Sequence, residues 1–387
     1  MSTVRIRNFT IMLGSMLFVL TGVGISPAMP GMSDYFNHLP NSEFLVKLTL
    51  TMPALVIAVA APFAGILLDR WGRKPVILFS LILYGFAGSS GFWMETLSGI
   101  LLGRALLGLA TAGLMSGIIT LIGDLYEGEQ LNRFMGYQSA ALGIGGLTFL
   151  TLAGVLADIG WRYPFLIHLH AFLVIPGVIL AVKEPNIGHE NIEEILSNVK
   201  VPFPWKSTLI INTISFSAMF VLFLFPVHLP FYLTSELGAS NSYVGLALAI
   251  QSTVAIFLGL LYRRIKARLS FQGIMAVIFL CLGINHLMIA IFADWIILVV
   301  GMLIGGISMG LLAPNTNVWV STSTHRATRG RSISIMVSVI FLAQFLVPIL
   351  SQPVLQSIGF TGIFGYGAGI SFLLSLILAA AHKRKPL

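Results

Sequence analysis

The chain has 387 residues, of which 57% are hydrophobic and only 9% charged, and its mean hydropathy is +0.93. A soluble globular domain carries about 25% charged residues, so a water-soluble fold is excluded and a polytopic membrane protein remains. The net charge of +8 does not point to nucleic acid, because the basic residues are scattered over short loops rather than along one face.

Taken in order, the sequence holds twelve apolar runs, at 9–29, 44–67, 75–94, 98–121, 134–157, 163–182, 207–232, 242–261, 272–293, 296–318, 332–353 and 361–381. Each matches the roughly 20 residues that a hydrocarbon layer about 30 Å thick demands of a helix. Arg5 and Arg7 before the first run imitate a signal peptide, but the run is long and lacks a small-residue cleavage site, so it reads as the first span. If the N-terminus is cytoplasmic, 19 of the 22 Lys and Arg residues fall on that side, leaving Lys47 and Arg162 outside and Arg104 inside a span. The positive-inside rule therefore predicts both termini in the cytoplasm of a cell bounded by this plasma (inner) membrane.

The longest polar segment, 183–206, separates an N-terminal six-helix bundle, 1–182, from a C-terminal one, 207–387. Within it, Asn191-Ile192-Glu193-Glu194 reads as a capping box opening a short amphipathic surface helix. The halves show weak internal symmetry. Arg104-x3-Gly108-x4-Gly113 aligns with Gly301-x3-Gly305-x4-Gly310, and Gly65-Ile66-Leu67-Leu68-Asp69-Arg70 with Gly259-Leu260-Leu261-Tyr262-Arg263-Arg264. Glycines four apart, as in Gly99 with Gly103, Gly113 with Gly117, Gly301 with Gly305, Gly306 with Gly310 and Gly365 with Gly369, are one helix turn apart and suit close helix packing.

The densest charge cluster lies between the second and third runs, in Gly65-Ile66-Leu67-Leu68-Asp69-Arg70-Trp71-Gly72-Arg73-Lys74-Pro75. It fits G-x-L-x-D-R-x-G-R-K and closely resembles the hallmark loop of the major facilitator superfamily of transporters. Three further segments are similar to that superfamily: the Arg104 to Gly113 stretch, Asp124-x2-Glu127-x-Glu129-x3-Arg133-x2-Gly136, and Gly160-Trp161-Arg162-Tyr163-Pro164-Phe165. Ser26-Pro27-Ala28-Met29-Pro30 resembles the end of the first span in its drug and metabolite exporters. Two exporter features are missing: the fifth span has no Gly-Pro dipeptide, and Val23 stands where several exporters place a carboxylate.

The resemblance implies an all-α fold of two six-helix bundles with alternating access, and a latch built from Gly65, Asp69, Arg70, Gly72, Arg73 and Lys74, closing near Arg331. Asp69 has the charge to meet a helix N-terminus, and Gly65 and Gly72 permit close approach and a tight turn. Arg104 is the formal charge well inside a span, where it costs at least about 2.5–3.5 kcal/mol and should face the interior. All 14 acids lie in loops or at span ends, so proton exchange would fall to Asp34 or to His168, His170, His228 and His286. His168 and His170 point about 200° apart on a helix and make a poor metal pair.

Neutral polar residues within spans, namely Gln138, Asn212, Gln251, Asn285, Asn315, Asn317 and Gln344, suit an uncharged or zwitterionic solute, with helix-to-helix bonding as the competing use. Of these, Gln251, Asn315 and Gln344 join Arg104, Asp34 and His228 as the candidate cavity or proton relay. The aromatic residues Phe216, Phe220, Phe223, Phe225, Phe231 and Tyr232 could form an apolar wall. Gly306-Ile307-Ser308-Met309-Gly310 fits the G-x-S-x-G pattern but follows no strand, so no enzyme is expected. No metal, cofactor or ATP-binding segment is expected either. The expected function is proton-coupled efflux of small molecules by a monomer. Uptake symport or facilitated passage of a polar metabolite, and a non-transporting scaffold or sensor, remain alternatives.

Overall fold

A computed structural model of the protein describes residues 3–184, 202–325 and 328–383. The capping box at 191–194 lies outside those residues. The elements are helical: α1 (Thr3–Val23), α2 (Met29–Tyr35), α3 (Ser42–Trp71), α4 (Arg73–Trp93), α5 (Leu97–Leu125), α6 (Gly128–Ile159), α7 (His170–Ala181), α8 (Trp205–Ser235), α9 (Asn241–Lys266), α10 (Phe271–Ile291), α11 (Trp295–Ser323) and α12 (Arg329–Lys383). Gly359, at φ 66°, breaks α12 into two limbs, which supply the eleventh and twelfth spans. A left-handed φ favours glycine there, since no Cβ meets the following carbonyl.

The first span departs from the expected unbroken run to residue 29. Helix α1 stops at Val23, and a 3-10 turn over Ser26–Ala28 and the short α2 follow. Pro27 and Pro30 stand second in those two elements, within the first turn, where a missing N–H costs nothing. Three later helices, α5, α10 and α11, begin on side-chain caps. Thr96 accepts from the N–H of Gly99, Ser270 from that of Gly273, and Asp294 from those of Ile296 and Ile297. Each satisfies donors that the first helical turn leaves free.

The two bundles carry separate cores, one around Leu17, Leu81, Tyr84 and Leu114 and the other around Ile278, Phe279, Leu282 and Leu311. Large exposed side chains such as Phe63, Phe79, Phe86, Leu173 and Leu180 form the lipid-facing exterior. In the first bundle, α5 lies against α3 through Gly108 and against α4 through Gly103, Gly113 and Gly117; in the second, α11 repeats this with α9 through Gly306 and Gly310 and with α10 through Gly301 and Gly305. The internal repeat read from the glycine spacing is thus a repeat of packing. Gly365 and Gly369, by contrast, face open space.

Between the bundles, α6 runs along α9 and α3 along α12. At α6 and α9 the backbones nearly touch: a side chain at Gly245 would overlap the Leu150 carbonyl and stand 2.9 Å from Gly154 Cα. A third core, around Met29, Met32, Leu50, Phe165, Leu224, Val227, Phe231 and Val347, mixes both bundles. It sits at the end of the molecule opposite the Asp69 loop. The bundles are therefore joined at this far end, while the basic end carries the exposed loop.

Candidate functional site

Two adjoining cavities of about 220 and 270 Å³ lie between the bundles and share Val23, Phe223, Met309 and Gln344. The first adds Thr21, Pro53, Thr111 and Phe341, the second Gln251, Ser252, Leu248 and Thr316. Among the described residues no charged side chain lines either space. The chemistry on offer is an apolar wall with neutral hydrogen-bonding groups, the usual make-up of a small-molecule site. A larger groove of about 720 Å³ lies between α3, α4 and α5, but its walls are almost wholly apolar and include the exposed Val59, Phe63 and Phe79. It opens on the lipid-facing side and lacks groups to orient a solute.

Of the neutral polar residues singled out by sequence, Gln251 and Gln344 line the cavity and are nearly buried. Gln344 Nε2 contacts Met219 Sδ at 3.5 Å, and Gln251 Nε2 has no partner. Beside Gln251, Asn285 is fully buried with neither side-chain polar atom bonded. The gap that both amides face is left by Gly305, where a methyl group would overlap Asn285 Nδ2 and stand 3.0 Å from Gln251 Nε2. Asn315 is placed otherwise. Its Oδ1 accepts from the Tyr262 hydroxyl and its Nδ2 donates to the Phe271 carbonyl, so it ties α11 to its neighbours. Gln138 donates to Ser15, and Asn317 is exposed. Of the six aromatic residues, Phe223 lines both cavities, and Phe225, Phe231 and Tyr232 are buried in the packing around them.

Arg104 is fully buried just outside the cavity. Its Nε donates to the Thr49 carbonyl at 2.8 Å and its Nη2 to the Thr21 carbonyl at 2.9 Å. Both acceptors are free for a reason. A helical N–H bonds the carbonyl four residues back; Pro53 has none, which releases Thr49, and α1 ends at Val23, which releases Thr21. The negative end of the α1 dipole adds to the attraction. His168 Nε2 lies 3.4 Å from Nη1, and its ring sits beside Tyr84. Tyr84, Thr21 and Thr111 form a chain of hydroxyls that reaches the cavity wall. His170 packs instead against Phe149.

Arg104 is not the lone cation inside a span. Lys47, expected outside, is fully buried within α3. Its Nζ pairs with Glu43 one turn earlier and lies over the rings of Phe231 and Phe360 from the opposite bundle, at 4.8 and 5.7 Å. An aromatic face attracts a cation, so the ammonium is held by an acid from its own helix and rings from across the interface. Nearby, His228 bonds Ser351 at 2.7 Å and is likewise fully buried. Asp34 is exposed on α2. Asp158, at the end of α6, accepts from the N–H groups of Asn241 and Ser242 and from the Ser242 hydroxyl. A carboxylate of one bundle thus caps a helix of the other.

At the basic end, Gly72 links α3 to α4 at φ 89°, within the left-handed region. The Glu184 carboxylate occupies the space a side chain at Gly72 would need and accepts from the N–H groups of Arg73 and Lys74, at 2.6 and 2.9 Å. Arg73 bonds Asp124 at 2.9 Å and the Leu68 carbonyl at 3.1 Å, while Lys74 donates to the Ile179 carbonyl in the last turn of α7. These bonds stay within the first bundle and the start of the segment that follows it. Asp69 is 75% exposed and 3.4 Å from Arg73; Arg70 is exposed, and Gly65 faces open space. Arg331, the expected counterpart in the second bundle, lies over Phe203 and Trp205. Glu184 was not singled out by sequence, where it reads as one more loop acid.

Two helical bundles around a neutral cavity, in a chain with eleven helices long and apolar enough to cross a membrane among its described residues, define an integral membrane carrier. The profile of the Major Facilitator Superfamily matches residues 11–285 and 211–386. The chain belongs to that superfamily, a family of transporters and not of enzymes. It is 26% identical over 361 residues to the bacillibactin exporter of Bacillus subtilis (strain 168), with 87% of each chain covered. It is 27% identical over 188 residues to multidrug resistance protein 1 of the same organism, covering 48% of each. Among solved structures it is similar to a D-xylose–proton symporter, with a TM-score of 0.78 at 16% identity over 97% of each chain, a likeness of fold.

Proposed function

We propose that the protein exports small amphiphilic molecules in exchange for protons, from the plasma (inner) membrane, with both termini in the cytoplasm and the bundles 1–182 and 207–387 rocking on either side of the 183–206 linker. The observation that carries this reading is the cavity: apolar walls, no charged side chain among the described residues, and the unpartnered amide nitrogen of Gln251 near Gln344. A buried amide without a partner costs about 1–3 kcal/mol. A solute carbonyl, hydroxyl or amide meeting those groups would recover that cost while its apolar part fills the rest.

Export as the direction is supported by likeness to the bacillibactin exporter over most of both chains; the Lys and Arg distribution supports the cytoplasmic placement of the termini. For the proton, the candidates are His168 beside Arg104, linked by Tyr84, Thr21 and Thr111 to the cavity, and the Lys47, Glu43 and His228 group at the far end. Asp34 stands at the outer mouth. Gly65, Asp69, Arg70, Gly72, Arg73 and Lys74 form the latch, which closes on the second bundle when the cytoplasmic side shuts.

Purified protein in liposomes with an acidic lumen tests this. A panel of fluorescent amphiphiles should include at least one that accumulates in the lumen and, on its addition, makes the lumen more alkaline; a protonophore, which dissipates the gradient beforehand, should abolish the accumulation. If no compound moves under the pH gradient, the reading fails. A second reading, uptake or facilitated passage of a polar metabolite, is favoured by the lack of charge in the cavity wall; solute counterflow insensitive to pH would select it.

A further inference from the structure

Prolines inside helices create a demand that the fold meets in an unusual way. Each removes one N–H, leaving the carbonyl four residues earlier without its helical partner. In α3, Pro62 releases the Ala58 carbonyl; in α8, Pro230 releases that of Pro226, a residue itself buried. Both freed carbonyls receive a serine hydroxyl from the opposite bundle. Ser338 in α12 donates to Ala58 at 2.7 Å, and Ser26, in the turn after α1, donates to Pro226 at 2.5 Å. The arrangement is reciprocal, with one serine reaching across from each bundle. It differs from the Arg104 bond to Thr49, which uses the same device within one bundle.

A freed carbonyl in apolar surroundings has nothing else to bond. Ser26 is fully buried, at 0% exposure, in the packing that closes the far end. When that end opens, water reaches the Pro226 carbonyl and replaces the hydroxyl. The bond therefore counts only in the closed arrangement. We propose that Ser26 and Ser338 are positioning residues of the transport cycle, each bonding a carbonyl that a proline of the opposite bundle has freed and so weighting the bundles toward the arrangement in which both bonds are made, that of Ser26 at the sealed far end and that of Ser338 midway along α3. The inference rests on rocking of the two bundles and is independent of the solute, the direction of transport and the coupling ion.

The test is a pair of double-mutant cycles read by distance rather than by transport. Spin labels at His38→Cys and Tyr243→Cys, in a Cys281→Ser background, report the opening of the far end by pulsed electron spin resonance on the protein in lipid nanodiscs. Ser26→Ala should raise the ratio of open to closed far end by about 3- to 10-fold, the range set by one hydrogen bond; Ser26→Thr, which keeps the hydroxyl, should not. In a Pro230→Ala background the restored N–H takes the Pro226 carbonyl, and Ser26→Ala should then change the ratio less than about twofold. Ser338→Ala with Pro62→Ala should behave in the same way, and supplies the test if Pro230→Ala fails to fold. An unchanged ratio in Ser26→Ala, or an equal shift with and without Pro230, overturns the proposal.

Discussion

Replacing Arg104 by leucine removes the donors to the Thr49 and Thr21 carbonyls, 2.8 and 2.9 Å away, and leaves both buried and unpaired. Each such carbonyl costs about 1–3 kcal/mol. The substitution also removes a cation held without a carboxylate among its bonded partners, which returns part of the loss. The net destabilisation should therefore lie near the lower end, about 2 kcal/mol. Equilibrium unfolding in mixed detergent micelles measures it. The decisive comparison is with Pro53→Ala, which restores an N–H to Thr49: in that background Arg104→Leu should cost at least about 1 kcal/mol less. If Arg104→Leu is as stable as the native chain, or costs the same in both backgrounds, then the arginine is not there to bond a proline-freed carbonyl.

Three other substitutions separate the parts of the account. Asp158→Asn keeps one acceptor for the N-terminus of α9 but loses the charge that favours it, and should weaken the far-end closure by about 0.5–1 kcal/mol, seen as faster alkylation of a cysteine placed at Ser351. Gly245→Ala would drive a methyl group into the Leu150 carbonyl and should lower the unfolding temperature with a loss of about 1–3 kcal/mol; Gly369→Ala, which meets nothing within 4 Å, should leave it unchanged. Asp69→Asn alters a side chain that is 75% exposed, so unfolding should be unaffected while transport in liposomes falls at least several-fold; full activity would remove the latch role.

The spans and the two-bundle plan were legible because a hydrocarbon layer imposes one simple demand on length and polarity. The break after Val23 was signalled by Pro27 and Pro30 but masked by hydropathy that continues through them. Lys47 was misplaced for a different reason. A lysine near the end of an apolar run ordinarily reaches the interface, and what buries this one is Phe231 and Phe360 on the other bundle, contacts that no local window contains. Arg104 was recognisable as interior, yet its partners were hidden, although Pro53 standing four residues after Thr49 was a readable clue. Asn315 and Gln251 look alike in sequence. Only packing decides that the first is consumed by Tyr262 and Phe271 while the second faces the cavity.

The claim on which the rest depends is that the bundles rock about the central cavity. Distances measured across both ends at once test it most directly, with one label pair at His38 and Tyr243 and another at Glu129 and Arg264. Lowering the pH on the outer side, or adding a transported amphiphile, should lengthen the far-end distance and shorten the basic-end distance within the same population. Two ends that open and close together, or that do not move at all, would contradict alternating access in this protein.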